Sequence, residues 1–367
     1  MAATKIEWTV TRIDEPITCY TCHGTGKVKK VLEKCPTCDG VGEIDTLPGW
    51  TYNPWSGCAK ISPGCRTCYA ETLSNRWRGE KPSLWGVNAE RKPASPMYLL
   101  QPHPWNKLAE SINVRLKVFC ASMADVFEDR DDLQPHRDAL WKMIEKTPML
   151  DWLLLSKRPV IGMPEAWSET AEGQDITKYG YVNGIYSGTK MPRNIWLGHT
   201  IVNNEEILKE WPVFYESIKK YRPTVAFLSL EPLLGPMPDF GRIIKDVKNI
   251  SGLNFYVIVG GESGNKARPM RPDWVKPIQL ACLEAGIPFF FKQWGEWAPA
   301  SSIALPDKDI ISKCYHVGED GKPHQGTFQP GDIEMVKLGK GKSGRMLNDR
   351  HYNDMPVRRM SNGTIIT

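Results

Sequence analysis

The chain has 367 residues, 41% of them hydrophobic and 24% charged, the balance of a folded globular protein rather than of a disordered one. That length suits one large α/β domain with appendages, or two ordinary domains. A formal charge of +5 permits a polyanionic partner but falls short of the footprint of a dedicated nucleic-acid binder.

The N-terminus has no apolar targeting core. The longest apolar stretch, 149–155, is broken by Asp151 and is too short to span a bilayer. A cytoplasmic protein without membrane contact is expected. Ten cysteines in such a chain, seven of them between positions 19 and 68 in short spacings, read as metal ligands rather than disulfides. Cys120 and Cys282 fall in strand-like and helix-like runs and read as buried small hydrophobes.

The first constellation is Cys19-Tyr20-Thr21-Cys22-His23-Gly24-Thr25-Gly26 and, with twelve residues between Cys22 and Cys35, Cys35-Pro36-Thr37-Cys38-Asp39-Gly40-Val41-Gly42. Two Cys-x-x-Cys turns at this separation place four thiolates tetrahedrally around zinc, and the glycines let backbone N–H groups turn toward the sulfurs. The pattern resembles the repeated Cys-x-x-Cys-x-Gly-x-Gly unit of the cysteine-rich domain of Hsp40-type chaperones, which implies a structural zinc hairpin. Four lysines balance four acidic residues over 18–45, so the insert reads as structural or partner-docking rather than as a nucleic-acid grip.

The second constellation is Cys58, six intervening residues, then Cys65-Arg66-Thr67-Cys68, three thiols with no nearby fourth. Three ligands suit a 4Fe-4S cluster with one iron left open, to which S-adenosylmethionine can bind through its amino and carboxylate groups. A zinc site completed by a distant ligand and a set of unliganded thiols are the other readings. Spacing alone does not separate them; the position of the loop ahead of a β/α repeat favours the cluster.

Apolar runs rich in β-branched and aromatic residues then recur at 118–120, 152–155, 195–197, 225–228, 255–259 and 288–291, and a further short strand is expected at 50–53. Runs without alternation are what strands buried on both faces look like, and helix-like stretches separate them, such as 273–285 with Asp273 as cap and Gly286 as stop. This predicts an α/β fold: a complete or partial TIM-like (β/α) barrel with a small zinc-ribbon insert and a loop-rich C-terminal tail. The barrel is expected over 1–8 and 50–300, the insert over 9–49 and the extension over 301–367, with 168–192 a surface loop.

Chemistry in such a barrel belongs at the C-terminal strand ends. Here those ends read Ser122-Met123-Ala124-Asp125, Ser156-Lys157-Arg158, His199-Thr200, Ser229-Leu230-Glu231-Pro232, Gly260-Gly261-Glu262-Ser263 and Lys292-Gln293-Trp294. From them Asp125, Ser156, Lys157, Glu231, Gly260, Gly261, Glu262 and Lys292 are the candidate cofactor-binding residues. Tail residues 337–345 contain Gly341-Lys342-Ser343 but lack the earlier glycine of a P-loop.

Several segments resemble the phage-encoded three-Cys-motif proteins, an uncharacterised, radical-SAM-like family. They are Ile6-Glu7-Trp8-Thr9, Asn53-Pro54-Trp55-Ser56-Gly57-Cys58, Cys68-Tyr69-Ala70-Glu71, Ser229-Leu230-Glu231-Pro232-Leu233, Gly260-Gly261-Glu262-Ser263-Gly264, Lys292-Gln293-Trp294-Gly295-Glu296-Trp297 and Gly344-Arg345-Met346-Leu347. The resemblance spans nearly the whole chain and implies phage or prophage origin. The zinc insert splits its opening motif. Radical S-adenosylmethionine barrels carry a Gly-Gly-Glu-like element early, whereas here Gly260-Gly261-Glu262 comes late; Asp125 stands in the early position and is assigned the methionyl amine, with Glu262 facing cofactor or substrate.

The expected function is therefore a radical S-adenosylmethionine enzyme served by an electron donor such as a flavodoxin. A nucleotide or nucleic-acid substrate is slightly preferred over a peptide, because Lys157, Arg158, Lys292 and the basic tail could neutralise phosphate. The alternatives are a non-enzymatic, zinc-stabilised adaptor and, ranked last, a two-metal hydrolase using Asp125, Glu231 and Glu262.

Overall fold

The apolar runs become strands because both of their faces are covered, one by helices and one by the barrel interior. In the computed structural model, which describes residues 7–19, 21, 43–47, 49–168, 191–303, 312–356, 358–359 and 365–366, the ribbon strands β1 (Thr11–Thr18) and β2 (Glu43–Leu47) pair antiparallel. After them come β3 (Trp50–Thr51) and a small hairpin of β4 (Trp55–Ser56) with β5 (Lys92–Pro93). The main sheet continues with β6 (Leu116–Cys120), β7 (Leu150–Ser156), β8 (Ile195–Thr200), β9 (Val225–Leu230), β10 (Asn254–Gly260) and β11 (Phe289–Gln293).

These form one seven-stranded parallel sheet in the order β11-β10-β9-β8-β7-β6-β3. Each strand pairs with the next of the series, as right-handed βα units require. The sheet curls without pairing its two edges, so the architecture is a partial TIM-like barrel, and all seven expected strands are in it. Most strands extend the apolar runs by two or three residues, as at β8, which continues past Leu197 through His199 and Thr200, whereas β3 stops two residues short of the expected 53 and β11 begins one residue late, at Phe289.

The outward side chains pack with the helices in the main core, which includes Trp152, Leu197, Leu228, Val257 and Phe291. A second cluster fills the concave side, with Phe119, Leu153, Trp196, Phe227, Tyr256, Ile258 and Phe290 gathered around Trp8. Trp8 sits in a single 3-10 turn, Glu7–Thr9, packed between β6 and β11. Its ring meets Phe119 edge-on at 5.1 Å and Phe227 at 5.9 Å. The open barrel is thus plugged by the residues that precede the ribbon.

Helix Pro272–Ala285 lies where expected and ends on Gly286 in the left-handed region, φ 66. Its start differs from the expectation. Arg271 is the N-cap residue with Pro272 at the first position, and Asp273 forms an ion pair with Arg271 at 2.6 Å instead of capping.

Of the insert's cysteines, Cys22, Cys35 and Cys38 lie outside the described residues, as does 169–190 of the expected surface loop. Cys19 is buried and belongs, with Leu47, to the main core. The tail is loop-rich, and its short strands also assemble. Trp297–Pro299, Ile333–Lys337, Cys314–Val317 and Pro323–His324 make a four-stranded antiparallel sheet over Ala267, Trp297, Val317 and Met335. Beyond it the chain returns to the barrel edge, where the Phe291 N–H donates to Tyr352 O at 3.1 Å. Among the described residues no helix is long and apolar enough to cross a membrane.

Candidate functional site

The C-terminal strand ends open into one cavity of about 600 Å³, within the size range of ligand pockets. Cys58, Cys65 and Cys68 line it, together with Asp125, Ser156, Lys157, Glu231, Gly261, Glu262 and Lys292 from the other strand ends.

The cysteine loop is held from three sides. At its start, Asn53 Oδ1 accepts from Met123 N at 2.7 Å and the Gly57 N–H donates to Met123 O at 2.9 Å, tying the loop to the end of β6. Gly57 has φ 114, and a Cβ there would stand 2.5 Å from Leu84 O, so the turn into Cys58 needs glycine. In the middle, Ser62 caps the 3-10 turn Pro63–Cys65 and donates to Glu206 Oε1 at 2.6 Å. Cys68 then opens helix α1 (Tyr69–Arg78) as its N-cap residue.

The third hold comes from across the barrel. Thr67, between Cys65 and Cys68, donates its hydroxyl to Glu262 Oε1. Arg268 binds Glu262 at 2.6 and 2.8 Å and donates to Pro63 O at 3.1 Å. Burial alone would raise the Glu262 carboxyl, but the Arg268 and Thr67 hydrogen bonds outweigh it and keep the group below its usual value. Glu262 therefore fastens the cysteine loop to β10 through its own carboxylate.

Beneath Cys58 lies a buried charge network. Arg91 grips Glu128 with two hydrogen bonds, at 2.6 and 2.7 Å, and Glu128 Oε1 accepts from Ala59 N at 3.1 Å. Arg158 donates to Ala59 O at 2.8 Å and lies 3.6 Å from Asp125 and 3.7 Å from Glu128. The Cys58 thiol is pushed up to about 12 by burial and by Asp125 and Glu128, with Arg158 opposing them. The sequence suggests Arg158 as a phosphate neutraliser, but its guanidinium is committed to this network and its side chain is 12% exposed.

The cavity wall is made by the other strand ends. Asp125 Oδ1 accepts from Ser156 Oγ at 2.7 Å and Phe127 N at 3.0 Å, while Oδ2 has longer contacts, to Lys157 N at 3.3 Å and Arg158 Nε at 3.6 Å. Glu231 Oε2 accepts from Lys292 Nζ at 2.5 Å, and its Oε1 is buried without a hydrogen-bond partner. The three carboxylates do not converge. Among the described residues no three His, Cys, Asp or Glu side chains stand close enough to share one ion, so the two-metal hydrolase site is not formed.

The same finding bears differently on the cysteines. Ligands of a single ion crowd into one coordination shell, whereas the thiolates of an iron–sulfur cluster bind separate irons and stand farther apart. Three thiols on one loop, all lining one cavity and with no fourth lining it among the described residues, are a donor set that a cluster with one open iron would fit. His199, pushed down to about 3 by burial and by Lys157, stacks on Phe214 at 5.1 Å and does not line the cavity.

Residues 46–356 match the family described as "Protein of unknown function (DUF5131)". The chain belongs to this family. No curated protein matches it. Among solved structures, it is similar to a chain described as a spore photoproduct lyase mutant "with dinucleoside spore photoproduct", at 10% identity and a TM-score of 0.36. The similarity covers 77% of this chain and 66% of that one, just under two thirds, and at that TM-score it adds nothing to the reading of the site.

Of the eight candidate cofactor-binding residues in this DUF5131 chain, all but Gly260 line the cavity. Gly260 is a packing position, where a Cβ would stand 3.2 Å from the Glu231 side chain. Gly261 lets the backbone pass the end of β11, since a Cβ there would stand 2.0 Å from Trp294 O. Sequence reasoning missed Thr67, Arg268, Arg91 and Glu128. The one available signal was Thr67, a hydroxyl set between Cys65 and Cys68.

Proposed function

We propose that this protein is a radical S-adenosylmethionine enzyme of phage or prophage origin in which Cys58, Cys65 and Cys68 hold a 4Fe-4S cluster. The observation that carries the reading is the convergence of the three thiols, on a loop fastened from three sides, with the polar strand ends of a parallel half-barrel around one cavity. When bound and reduced, such a cluster supplies the electron that cleaves the sulfonium of S-adenosylmethionine.

The chain's own residues bind and orient. Asp125 Oδ2, with only long protein contacts, is the carboxylate placed to accept the cofactor's ammonium, and Ser156 fixes its rotamer through Oδ1. Ser156 and Lys157 line the same wall, and Gly261 lets that wall close against the backbone of Trp294. Glu262 acts through Thr67 as a positioning residue for the loop. The charge network under Cys58 keeps water and mobile counter-ions from that side of the loop, since Arg91 and Glu128 are almost fully buried. An electron donor such as a flavodoxin would serve the cluster, and Cys19, Cys22, Cys35 and Cys38 would form a separate ligand set for zinc.

The test is anaerobic incubation of reconstituted, reduced protein with S-adenosylmethionine, followed by chromatography for 5′-deoxyadenosine. Slow formation is expected without any substrate, abolished in Cys58→Ala, Cys65→Ala and Cys68→Ala. Asp125→Asn should keep its iron and bind the cofactor about tenfold or more weakly, the equivalent of one hydrogen bond between charged groups, roughly 1.5–3 kcal/mol. Absence of 5′-deoxyadenosine from the wild type, with and without cell extract as a source of substrate, would overturn the reading in favour of a zinc-stabilised adaptor.

A further inference from the structure

Besides Glu231 Oε1, two other polar atoms on residues lining the cavity are buried without a hydrogen-bond partner, Thr200 Oγ1 and Trp8 Nε1. Thr200 and Trp8 are each 2% exposed. Native interiors hold few such atoms, because an unpaired buried donor or acceptor loses its water and gains nothing in return. Other buried atoms away from the cavity, such as Trp55 Nε1 and His316 Nδ1, also lack a partner; what sets these three apart is that their residues line one cavity, where a ligand can complete their hydrogen bonds.

The arrangement also says what kind of ligand. Lys292 Nζ is fixed on Glu231 Oε2, so an ammonium donor stands beside the open acceptor Oε1. The complementary edge carries a donor next to an acceptor, as the Watson–Crick edge of a nucleobase does. Trp8 and Phe119, in edge-on contact, add aromatic surface to the same cavity. At the mouth, Tyr69 lines the cavity and is 56% exposed, with Arg66 exposed on the turn just before it; Arg76 and Trp77, exposed farther along helix α1, continue this surface away from the cavity. Exposed rings interleaved with guanidinium groups are a platform on which unpaired nucleotides stack. A peptide amide offers the same donor and acceptor, but it has no comparable use for this rim.

We propose that the cavity is a nucleobase site: Glu231 Oε1 and Lys292 read the edge of an unpaired base in single-stranded nucleic acid, Thr200 and Trp8 complete its hydrogen bonds, and neighbouring nucleotides stack on Tyr69 and Trp77. This assigns the substrate side of the cavity and rests on the enzymatic reading above for its purpose, though not for its geometry.

The experiment is fluorescence anisotropy of the full-length protein, without cofactor, against a short dye-labelled single-stranded DNA of mixed sequence. The same DNA as a duplex and a labelled mixed-sequence peptide are the comparators. The single strand is expected to bind more tightly than either. Glu231→Ala should weaken it by about tenfold or more and Thr200→Val by a few-fold, while the exposed-site control Glu80→Ala should leave it unchanged. Thr200→Val removes an unpartnered hydroxyl at nearly constant shape, so it keeps the test valid if Glu231→Ala does not fold. Binding of the single strand that neither variant weakens, absence of that binding, or preferential capture of the peptide would each overturn the proposal. Because binding is read without cofactor, a wild type that forms 5′-deoxyadenosine but binds no single strand loses this site and keeps the radical reading. The converse result keeps the site and loses that reading.

Discussion

Glu262 has both carboxylate oxygens engaged, by Thr67 and by Arg268, and is 6% exposed. Its folded-state value lies below the ordinary 4.5, so it contributes stability above that pH, and the contribution fades as pH falls through the lowered value. The difference in unfolding free energy between wild type and Glu262→Gln, measured in urea, should therefore be full at neutral pH and shrink below about pH 4.5. A difference independent of pH would contradict the clamp. Arg268→Ala leaves the carboxylate buried without its cation and should cost about 2–4 kcal/mol. The places of Asp125, Glu231 and Lys292 on the cavity wall were legible in the sequence because each stands within five residues of the end of an apolar run. Thr67 and Arg268 were not, because their importance lies in meeting at Glu262: Thr67 reaches it from 195 positions away and Arg268 reaches on to Pro63 O, 205 positions away, pairings that no local pattern encodes.

At the level of elements, the strands were legible because continuous apolar runs leave only doubly covered strands as a stable arrangement. The openness of the sheet was not, since closure depends on how β3 and β11 meet, and β3 is only two residues long. The start of helix Pro272–Ala285 was misread because Asp273 has a nearer use, its ion pair with the buried Arg271. The plug was invisible for another reason: a lone 3-10 turn has no periodicity, and Trp8 acquires its role only against Phe119 and Phe227. Trp8→Ala should empty the centre of the concave cluster and lower the unfolding free energy by about 3–5 kcal/mol. A loss below about 1 kcal/mol in urea denaturation would mean that the turn is peripheral.

For the whole molecule, the fold and the loop converge on one point. The half-barrel brings its polar strand ends to a single cavity, and the cysteine loop lies over them, joined to β6 through Met123, to the helix after β8 through Glu206 and to β10 through Glu262. Two metal-ligand sets on one chain would then be chemically distinct, the thiols of the loop for iron and those of the insert for zinc. The direct measurement is metal and sulfide analysis of anaerobically reconstituted protein, alongside its absorption spectrum. The account predicts brown protein with about four irons and four sulfides per chain and broad absorption near ~400 nm. The iron should be lost in each of Cys58→Ala, Cys65→Ala and Cys68→Ala and kept in the Cys35→Ala, Cys38→Ala double variant, which should lose zinc alone. Colourless protein carrying only zinc, or iron that departs together with zinc in the double variant, would contradict it.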